Sequence, residues 1–223
     1  MNACLMLHGI GPLPPHVGAD ETPYWVSRET FDTIVELMQK IPARLTFDDG
    51  NATDETIALP QLMKAGLKAS FFIPSARIGT EGYVSEDAIR ELHRDGMEIG
   101  SHGCEHLDWT QVSDAEITHD VMQSVEQLST IIQAPVRSVA IPYGYCDRRV
   151  LGVLRTLGMV RVYSSFRGPD SETAWLVRRD CIKKGMSRED ILRIISRKPA
   201  AAETAINLLK VWRRAGNAAL WTS

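Results

Sequence analysis

The chain alternates between short apolar runs and longer segments in which apolar residues recur every three to four positions. The short runs are typical of buried strands, and the longer periodicity predicts amphipathic helices. This alternation indicates an α/β fold with β/α units around a mostly parallel sheet or barrel. The predicted strands are Cys4–Leu7, Ala43–Phe47, Lys68–Ile73, Met97–Gly100, Arg137–Ile141, Val160–Ser164 and Trp175–Ile182.

Serine residues stand where four of the helices are predicted to begin, because a serine side chain can cap the first free backbone N–H groups. Ser113 with Glu116 forms a capping-box pattern, and Ser187 with Asp190 forms a weaker one. The predicted helices run from Ser27 to near Lys40, from Ser85 to Gly96, from Asp114 to Ile132 and from Ser187 to about Arg197.

The last segment predicts an amphipathic helix at about 200–215, with Leu208, Leu209 and Trp212 on one face and Lys210 and Arg214 on the other. We expect this helix to dock on the core. The pattern is also compatible with a membrane-surface anchor, which we favour less. Together with the length of 223 residues, these elements predict a single domain over 1–223.

Charge and cysteine usage exclude some classes of protein. The formal charge of -3 leaves no basic footprint, so no nucleic-acid partner is expected. The sequence has no basic leader and no apolar run of transmembrane length, which favours a cytoplasmic protein. The cysteines are scattered and are expected to be reduced: Cys4, Cys104, Cys146 and Cys181.

Polar side chains collect where the predicted strands end, and in a parallel barrel the carboxyl ends of the strands meet at one mouth. The residues at these positions are His8 after the first strand, Asp48 and Asp49 after the second, His102 after the fourth and Pro142 and Tyr143 after the fifth, with Arg178 inside the seventh. Their convergence predicts a reactive site at that mouth.

A metal site is predicted within this group. His102 and His106 are four residues apart, so both imidazoles would face one ion if the segment forms a helical turn after the strand. With Asp49 as the oxygen ligand, the set leaves coordination positions open, as catalytic sites require. Asp48 would then stay ionised beside the ion. We expect one divalent metal ion, zinc first, with cobalt, nickel, manganese or iron as alternatives.

These residues resemble the polysaccharide deacetylases of carbohydrate esterase family 4, the NodB-homology group. The matching segments are Thr46–Gly50, Ser101–His106 and Ile141–Gly144, in order over roughly residues 1–182. The resemblance implies a distorted (β/α) barrel with seven strands that hydrolyses an acetyl group on a sugar. It also implies that Asp48 is the general base, that Asp49, His102 and His106 bind the metal, and that Pro142 and Tyr143 contact the substrate, with the Tyr143 backbone N–H facing the oxyanion.

The sequence departs from the family pattern in two places. Ala140 stands where many members have an arginine that orients the base, and we expect Arg178 to replace it, with Arg179 as the adjacent competitor. The family's late general-acid histidine is missing. Because Leu5–His8 resembles the opening strand of a rearranged subgroup, His8 is expected to take the acid role.

The expected function is therefore removal of an N-acetyl group from a sugar, in a glycan or glycan precursor of surface polysaccharide biosynthesis. Two alternatives remain open: a related amidohydrolase acting on a non-sugar amide or a cyclic imide, and a catalytically silent sugar-binding module. Trp109 and Phe166 are candidates either for sugar-stacking walls or for the core.

Overall fold

The computed structural model describes residues 2–15, 17–169, 171 and 173–197. Strands and helices alternate through most of this part of the chain. In order they are β1 (Cys4–Leu7), β2 (Gly9–Ile10), β3 (Trp25–Val26), α1 (Arg28–Met38), β4 (Arg44–Asp48), α2 (Leu59–Ala65), β5 (Ser70–Ile73), α3 (Glu86–Arg94), β6 (Glu98–Ser101), α4 (Asp114–Ile132), β7 (Ser138–Ala140), α5 (Arg148–Thr156), β8 (Arg161–Tyr163), β9 (Leu176–Val177), β10 (Asp180–Cys181) and α6 (Arg188–Ile195).

Eight of the strands form one sheet in the order β10-β1-β4-β5-β6-β7-β8-β9, and all of its pairings are parallel. The sheet curves into a distorted (β/α) barrel, as predicted. β2 and β3 form a separate parallel pair beside the mouth. The parallel pairing brings the carboxyl ends of the strands to one end of the barrel, where the predicted site residues lie.

The prediction of one continuous strand over Trp175–Ile182 is wrong. This segment forms two short strands at opposite edges of the sheet: β9 pairs with β8, and β10 pairs with β1. The chain crosses from one edge to the other through Arg178 and Arg179. A continuous closing strand would pair with β8 on one side and β1 on the other, whereas here Arg178 and Arg179 leave the strand between the two pairings. That break occupies the seventh strand position of the barrel.

The other strands and all four predicted helix starts are confirmed, because the local signals agree with the tertiary packing. Ser27 and Ser85 accept hydrogen bonds from the third residue after each cap, and Ser113 and Ser187 form complete capping boxes. The helices α2 and α5 occupy segments in which no cap was predicted. The helix predicted at 200–215 lies outside the described residues.

Stacked aromatic rings at the centre of the core hold the strands that carry the site. The Phe47 and Phe71 rings stack with their centroids 4.8 Å apart, and Phe31 of α1 packs edge-on against Phe47. All three side chains are fully buried, and burying such a ring stabilises the fold by roughly 1.5–3 kcal/mol. This packing fixes β4 and β5 against α1, so the residues that follow β4 start from a rigid base.

No helix in the described part of the chain combines the length and the apolar character needed to cross a bilayer.

Candidate active site

The two adjacent aspartates at the end of β4 point in different directions. Asp48 is the last residue of the strand, whereas Asp49 has φ of +78° and Gly50 has φ of +66°. Aspartate tolerates this left-handed conformation better than most residues. The turn separates the two carboxylates, which are both buried. Each therefore has its own set of partners.

Asp49, His102 and His106 converge as predicted for metal ligands. One potential ligand atom from each lies within 4.8 Å of the others. The His106 Nε2 atom is 3.3 Å from Asp49 Oδ1, and the His102 Nε2 atom is 3.9 Å from the same oxygen. His102 Nδ1 lies 2.9 Å from the Ala140 carbonyl oxygen. Because a carbonyl only accepts, Nδ1 must donate, which leaves His102 Nε2 free to bind a metal.

Both imidazoles are held in the neutral form that a metal requires. Burial lowers the pKa of His102, and burial together with the neighbouring His102 lowers the pKa of His106 to about 3. Neutral imidazoles can bind a cation without first losing a proton. This part of the site therefore fits a divalent metal ion of the kind that two histidines and a carboxylate hold.

The two histidines do not lie on a helical turn, so that part of the prediction is wrong. The segment between them is an irregular loop in which Gly103 has φ of +76° and His106 has φ of +55°. The imidazoles still meet, with ring centroids 4.7 Å apart. Hydrogen bonds to a residue outside the loop, rather than helical hydrogen bonds, fix the shape of this segment.

Asp120 of α4 supplies those hydrogen bonds. Its Oδ1 accepts from the backbone N–H groups of Cys104 at 3.0 Å and Glu105 at 2.8 Å, and its Oδ2 accepts from Trp109 Nε1 at 2.8 Å. A Cβ on Gly103 would lie 2.3 Å from Asp120 Oδ2, so the loop requires glycine there. Sequence reasoning missed Asp120. Trp109 is fully buried in the core and does not form a sugar-stacking wall.

The guanidinium group that faces Asp48 belongs to Arg179, not Arg178. Arg179 Nη1 donates to Asp48 Oδ1 at 2.6 Å, and Arg179 Nη2 donates to Asp48 Oδ2 at 2.8 Å. Arg178 instead donates to the carbonyl of Pro169. Neighbouring side chains of an extended segment point to opposite sides, so only one of the two arginines can enter the barrel. The prediction that Arg178 orients Asp48 is therefore wrong, and the adjacent Arg179 has that position.

Arg179 also controls the charge of Asp48. Burial raises the pKa of this carboxyl, but the charge of Arg179 and the hydrogen bonds that Arg179 donates outweigh it, so the pKa lies below its usual range. Arg179 Nε donates to the Ser164 carbonyl at 3.0 Å, which fixes the guanidinium from its other side. Asp48 is thus ionised and held in one orientation.

His8 lies level with Asp48 at the mouth of the barrel, because β1 pairs with β4 in a register that places Leu7 opposite Phe47. Its ring packs against Tyr24, with centroids 4.9 Å apart. His8 Nδ1 is buried and has no hydrogen-bond partner among the described residues. Burial raises the pKa of Asp49, but the charges of nearby residues, of which His8 contributes most, outweigh it, so the pKa of Asp49 lies below its usual range.

Two further ionisable residues at the mouth were missed. Arg77 Nη1 lies 3.2 Å from Asp49 Oδ1, and the guanidinium packs over the Tyr83 ring. Arg77 follows β5, so the rule that selected the other strand ends would have found it. Asp54 is buried, and neither of its carboxyl oxygens has a hydrogen-bond partner in the described part of the chain. Burial and the charges of Asp49 and Asp48 raise its pKa well above 3.8.

The turn after β7 places Tyr143 beside the metal-ligand group. Pro142 is buried, whereas Tyr143 is exposed and has φ of +56°. The N–H groups of Gly144 and Tyr145 donate to the carbonyls of Ile141 and Pro142. No such bond is formed by the Tyr143 N–H with the described residues. That donor is available for a ligand.

Comparison with known proteins agrees with this geometry. Residues 38–162 match the sequence profile of the polysaccharide deacetylase family, and the chain belongs to that family. It is 25% identical over 114 residues to a putative polysaccharide deacetylase, YxkH, of Bacillus subtilis, covering 51% of this chain and 41% of that protein. It is 26% identical over 137 residues to a poly-beta-1,6-N-acetyl-D-glucosamine N-deacetylase of Staphylococcus aureus, covering 54% and 47%.

The fold is shared with the Streptococcus pyogenes deacetylase PplD, solved in complex with acetate. The TM-score is 0.78 at 21% identity, over 88% of this chain and 98% of that one. By contrast, the chain spans only about two fifths to a half of the length of the two curated relatives above.

Proposed function

We propose that this protein is a metal-dependent deacetylase that hydrolyses an N-acetyl group on a sugar, in a glycan or glycan precursor of surface polysaccharide biosynthesis. The observation that carries the proposal is an ionised Asp48, fixed by Arg179, beside the cluster of Asp49, His102 and His106. The relatives support the substrate class, since one of them is a poly-beta-1,6-N-acetyl-D-glucosamine N-deacetylase.

Asp49, His102 and His106 would hold one divalent ion, with zinc our first candidate and cobalt, nickel, manganese and iron as alternatives. Such an ion lowers the pKa of a bound water and polarises a carbonyl oxygen. The neutral imidazoles and the His102 hydrogen bond to the Ala140 carbonyl favour this ligand set.

The remaining roles follow from position. Asp48 takes the proton of the attacking water, and Arg179 keeps its carboxylate oriented for that transfer. The Tyr143 N–H donates to the negative charge that develops on the acetyl oxygen, and Pro142 sets the turn that aims this donor. His8 donates a proton to the leaving amine, because imidazole exchanges protons near neutral pH.

Release of acetate from N-acetylglucosamine oligomers, measured for the metal-loaded protein and after chelation, tests the proposal. Asp48→Asn should lower kcat at least about a hundredfold. The matched control is Asp87→Asn, which changes an exposed carboxylate on α3 and should have no effect. If the protein hydrolysed cyclic imides and released no acetate from sugars, its substrate would be a cyclic imide and not an N-acetylated sugar. Sugar binding with no hydrolysis at any metal loading would show a silent binding module.

A further inference from the structure

The inside of the barrel is filled in layers, and the layer furthest from the metal-ligand group is polar. The middle of the barrel is apolar and contains one buried cluster of side chains: Cys4, Phe72, Ala140, Tyr163 and Val177. Alternate residues of a strand face the same side of a sheet, so the residue two positions before an inward-facing one also faces inward. By this rule the first residues of the neighbouring strands β4 to β8 all face inward, and we call them the base layer: Arg44, Ser70, Glu98, Ser138 and Arg161.

Arg44 is the member of the base layer whose charge is not matched. Its inward direction follows from Thr46, two residues later, whose Oγ1 accepts a hydrogen bond from Arg179 Nη1 inside the barrel at 3.3 Å. All three guanidinium nitrogens of Arg44 are buried, yet none has a hydrogen-bond partner among the described residues. In that part of the chain, no carboxylate forms an ion pair with Arg44. A buried charge without a partner is strongly destabilising, and an anion that accepts its hydrogen bonds removes that cost.

Ser138 has a second unused donor in the same layer. It is 4% exposed, and its Oγ has no hydrogen-bond partner in the described part of the chain. A Cβ on Gly100 would lie 2.9 Å from Ser138 Oγ and 2.4 Å from the Phe72 ring, so this hydroxyl lies inside the barrel close to that ring. The interior of a barrel of this size is just wide enough for side chains to fill, so the inward side chains of one layer border the same space. Arg44 and Ser138 therefore border one space with unused donors.

The other charged members leave the base layer with an excess of positive charge. Glu98 is its only carboxylate, and Glu98 Oε2 already accepts from Ser70 Oγ at 2.6 Å and lies 3.5 Å from Tyr163 Oη. The two guanidinium groups of Arg44 and Arg161 thus share a layer with one carboxylate. Glu98 is exposed and Arg44 is half-buried as a whole residue, so this end of the barrel is open to solvent. A small anion can reach it from there.

We propose that the base layer binds a small inorganic oxyanion of the phosphate or sulfate class, held by Arg44 and Ser138. The guanidinium fork matches two oxygens of such an ion, and the serine hydroxyl donates to a third. A water molecule would accept a hydrogen bond but would not balance the charge. The site lies at the amino ends of the strands, whereas the metal-ligand group lies at their carboxyl ends, so this inference does not depend on the proposed function. An ion that binds only the folded protein raises its Tm.

The test is thermal unfolding of the metal-loaded protein at pH 7 in increasing phosphate, with potassium chloride holding the ionic strength constant. Wild-type Tm should rise with phosphate and with sulfate, but not with chloride alone. Phosphate also binds metal ions, so the measure is the part of the rise that is lost in Arg44→Met. Arg193→Met, which changes an exposed arginine of α6, is the matched control and should keep the wild-type rise.

Calorimetric titration with phosphate measures the affinity directly. Arg44→Met should weaken phosphate binding roughly ten- to a hundredfold, because the lost hydrogen bonds come from a charged group. Ser138→Ala removes a neutral donor and should weaken binding roughly three- to tenfold. Unchanged phosphate affinity in either variant would overturn the site, as would equal phosphate-dependent rises in Tm for wild type and Arg44→Met.

Urea unfolding without phosphate or sulfate gives an independent test. Under these conditions Arg44→Met should be at least as stable as wild type, because methionine removes a buried charge that has no partner. Added phosphate should then stabilise wild type and leave Arg44→Met behind. If Arg44→Met were less stable than wild type without any oxyanion, Arg44 would have a partner within the chain, and the site would be overturned.

Discussion

Arg179 and Asp48 form a buried, two-pronged ion pair across the interior of the barrel, with N···O distances of 2.6 and 2.8 Å. Arg179 is 1% exposed and Asp48 is 2% exposed. Arg179 lies in the connection between β9 and β10, and its side chain points inward while that of the adjacent Arg178 does not. A residue 131 positions away in the sequence thereby sets the orientation and charge of Asp48.

Replacing Arg179 should therefore affect both stability and the pH profile. Arg179→Gln leaves Asp48 buried without its counter-charge and should cost about 3–5 kcal/mol of folding free energy, measured by urea unfolding. The pKa of Asp48 should rise, so the acid limb of the kcat/KM profile should move to higher pH. Arg178→Gln is the matched control and should leave that limb in place. If the acid limb shifted only in Arg178→Gln, Arg178 would be the residue that acts on Asp48, as the sequence predicted.

Asp120 should control the metal affinity of the histidine loop. In Asp120→Asn, whichever way the amide is turned, its NH₂ group faces an N–H donor, either Trp109 Nε1–H or the loop backbone. The metal dissociation constant should rise about ten- to a hundredfold, as for other residues that orient ligands. The measurement is calorimetric titration with Zn²⁺, supported by the visible spectrum of the Co²⁺ form.

The double variant Asp120→Asn/Trp109→Phe gives the matched rescue, because phenylalanine lacks the indole N–H that opposes the amide. It should recover part of the lost metal affinity relative to Asp120→Asn. If Trp109→Phe changes the affinity equally with either residue at position 120, the two side chains are not coupled and the Trp109 N–H is not the group that opposes the amide.

The metal-free protein should lose stability on acidification through His106. Its folded-state pKa of about 3 lies below the ordinary value of 6.5, so the unfolded chain binds a proton that the folded chain rejects. Stability should therefore fall as the pH drops below about 6.5, by up to about 1.4 kcal/mol per pH unit from this group. Urea unfolding at pH 7, 6, 5 and 4 with chelator should show a shallower dependence for His106→Gln. If the stability of wild type and of His106→Gln fell equally with pH, the prediction would be contradicted.

Asp54 should make the stability of the protein change with pH in the opposite direction. Its folded-state pKa lies well above 3.8, so the folded protein keeps a proton that the unfolded chain has already lost. Stability from this group is present below about pH 3.8 and is lost as the pH rises towards the folded pKa. Without metal, Asp54→Asn should raise Tm at pH 7 and change it little at pH 4. A lower Tm at pH 7 would contradict the prediction, because it would show that the buried carboxylate stabilises the fold.

Local chemistry determined most of the secondary structure. The caps at Ser27, Ser85, Ser113 and Ser187 act within one helical turn, and the apolar runs report burial directly, so both can be recognised without knowledge of the fold. The convergence of Asp49, His102 and His106 was also predictable, because each follows a parallel strand.

Tertiary structure decided the features that depend on side-chain direction or on distant partners. The choice of Arg179 over Arg178 follows from where the seventh strand breaks, and that position depends on pairing with two separate strands. The loop between His102 and His106 takes its shape from Asp120, on a helix that packs behind it. Such contacts join residues far apart in the chain, and no local propensity encodes them, because their energy appears only when the barrel brings the partners together.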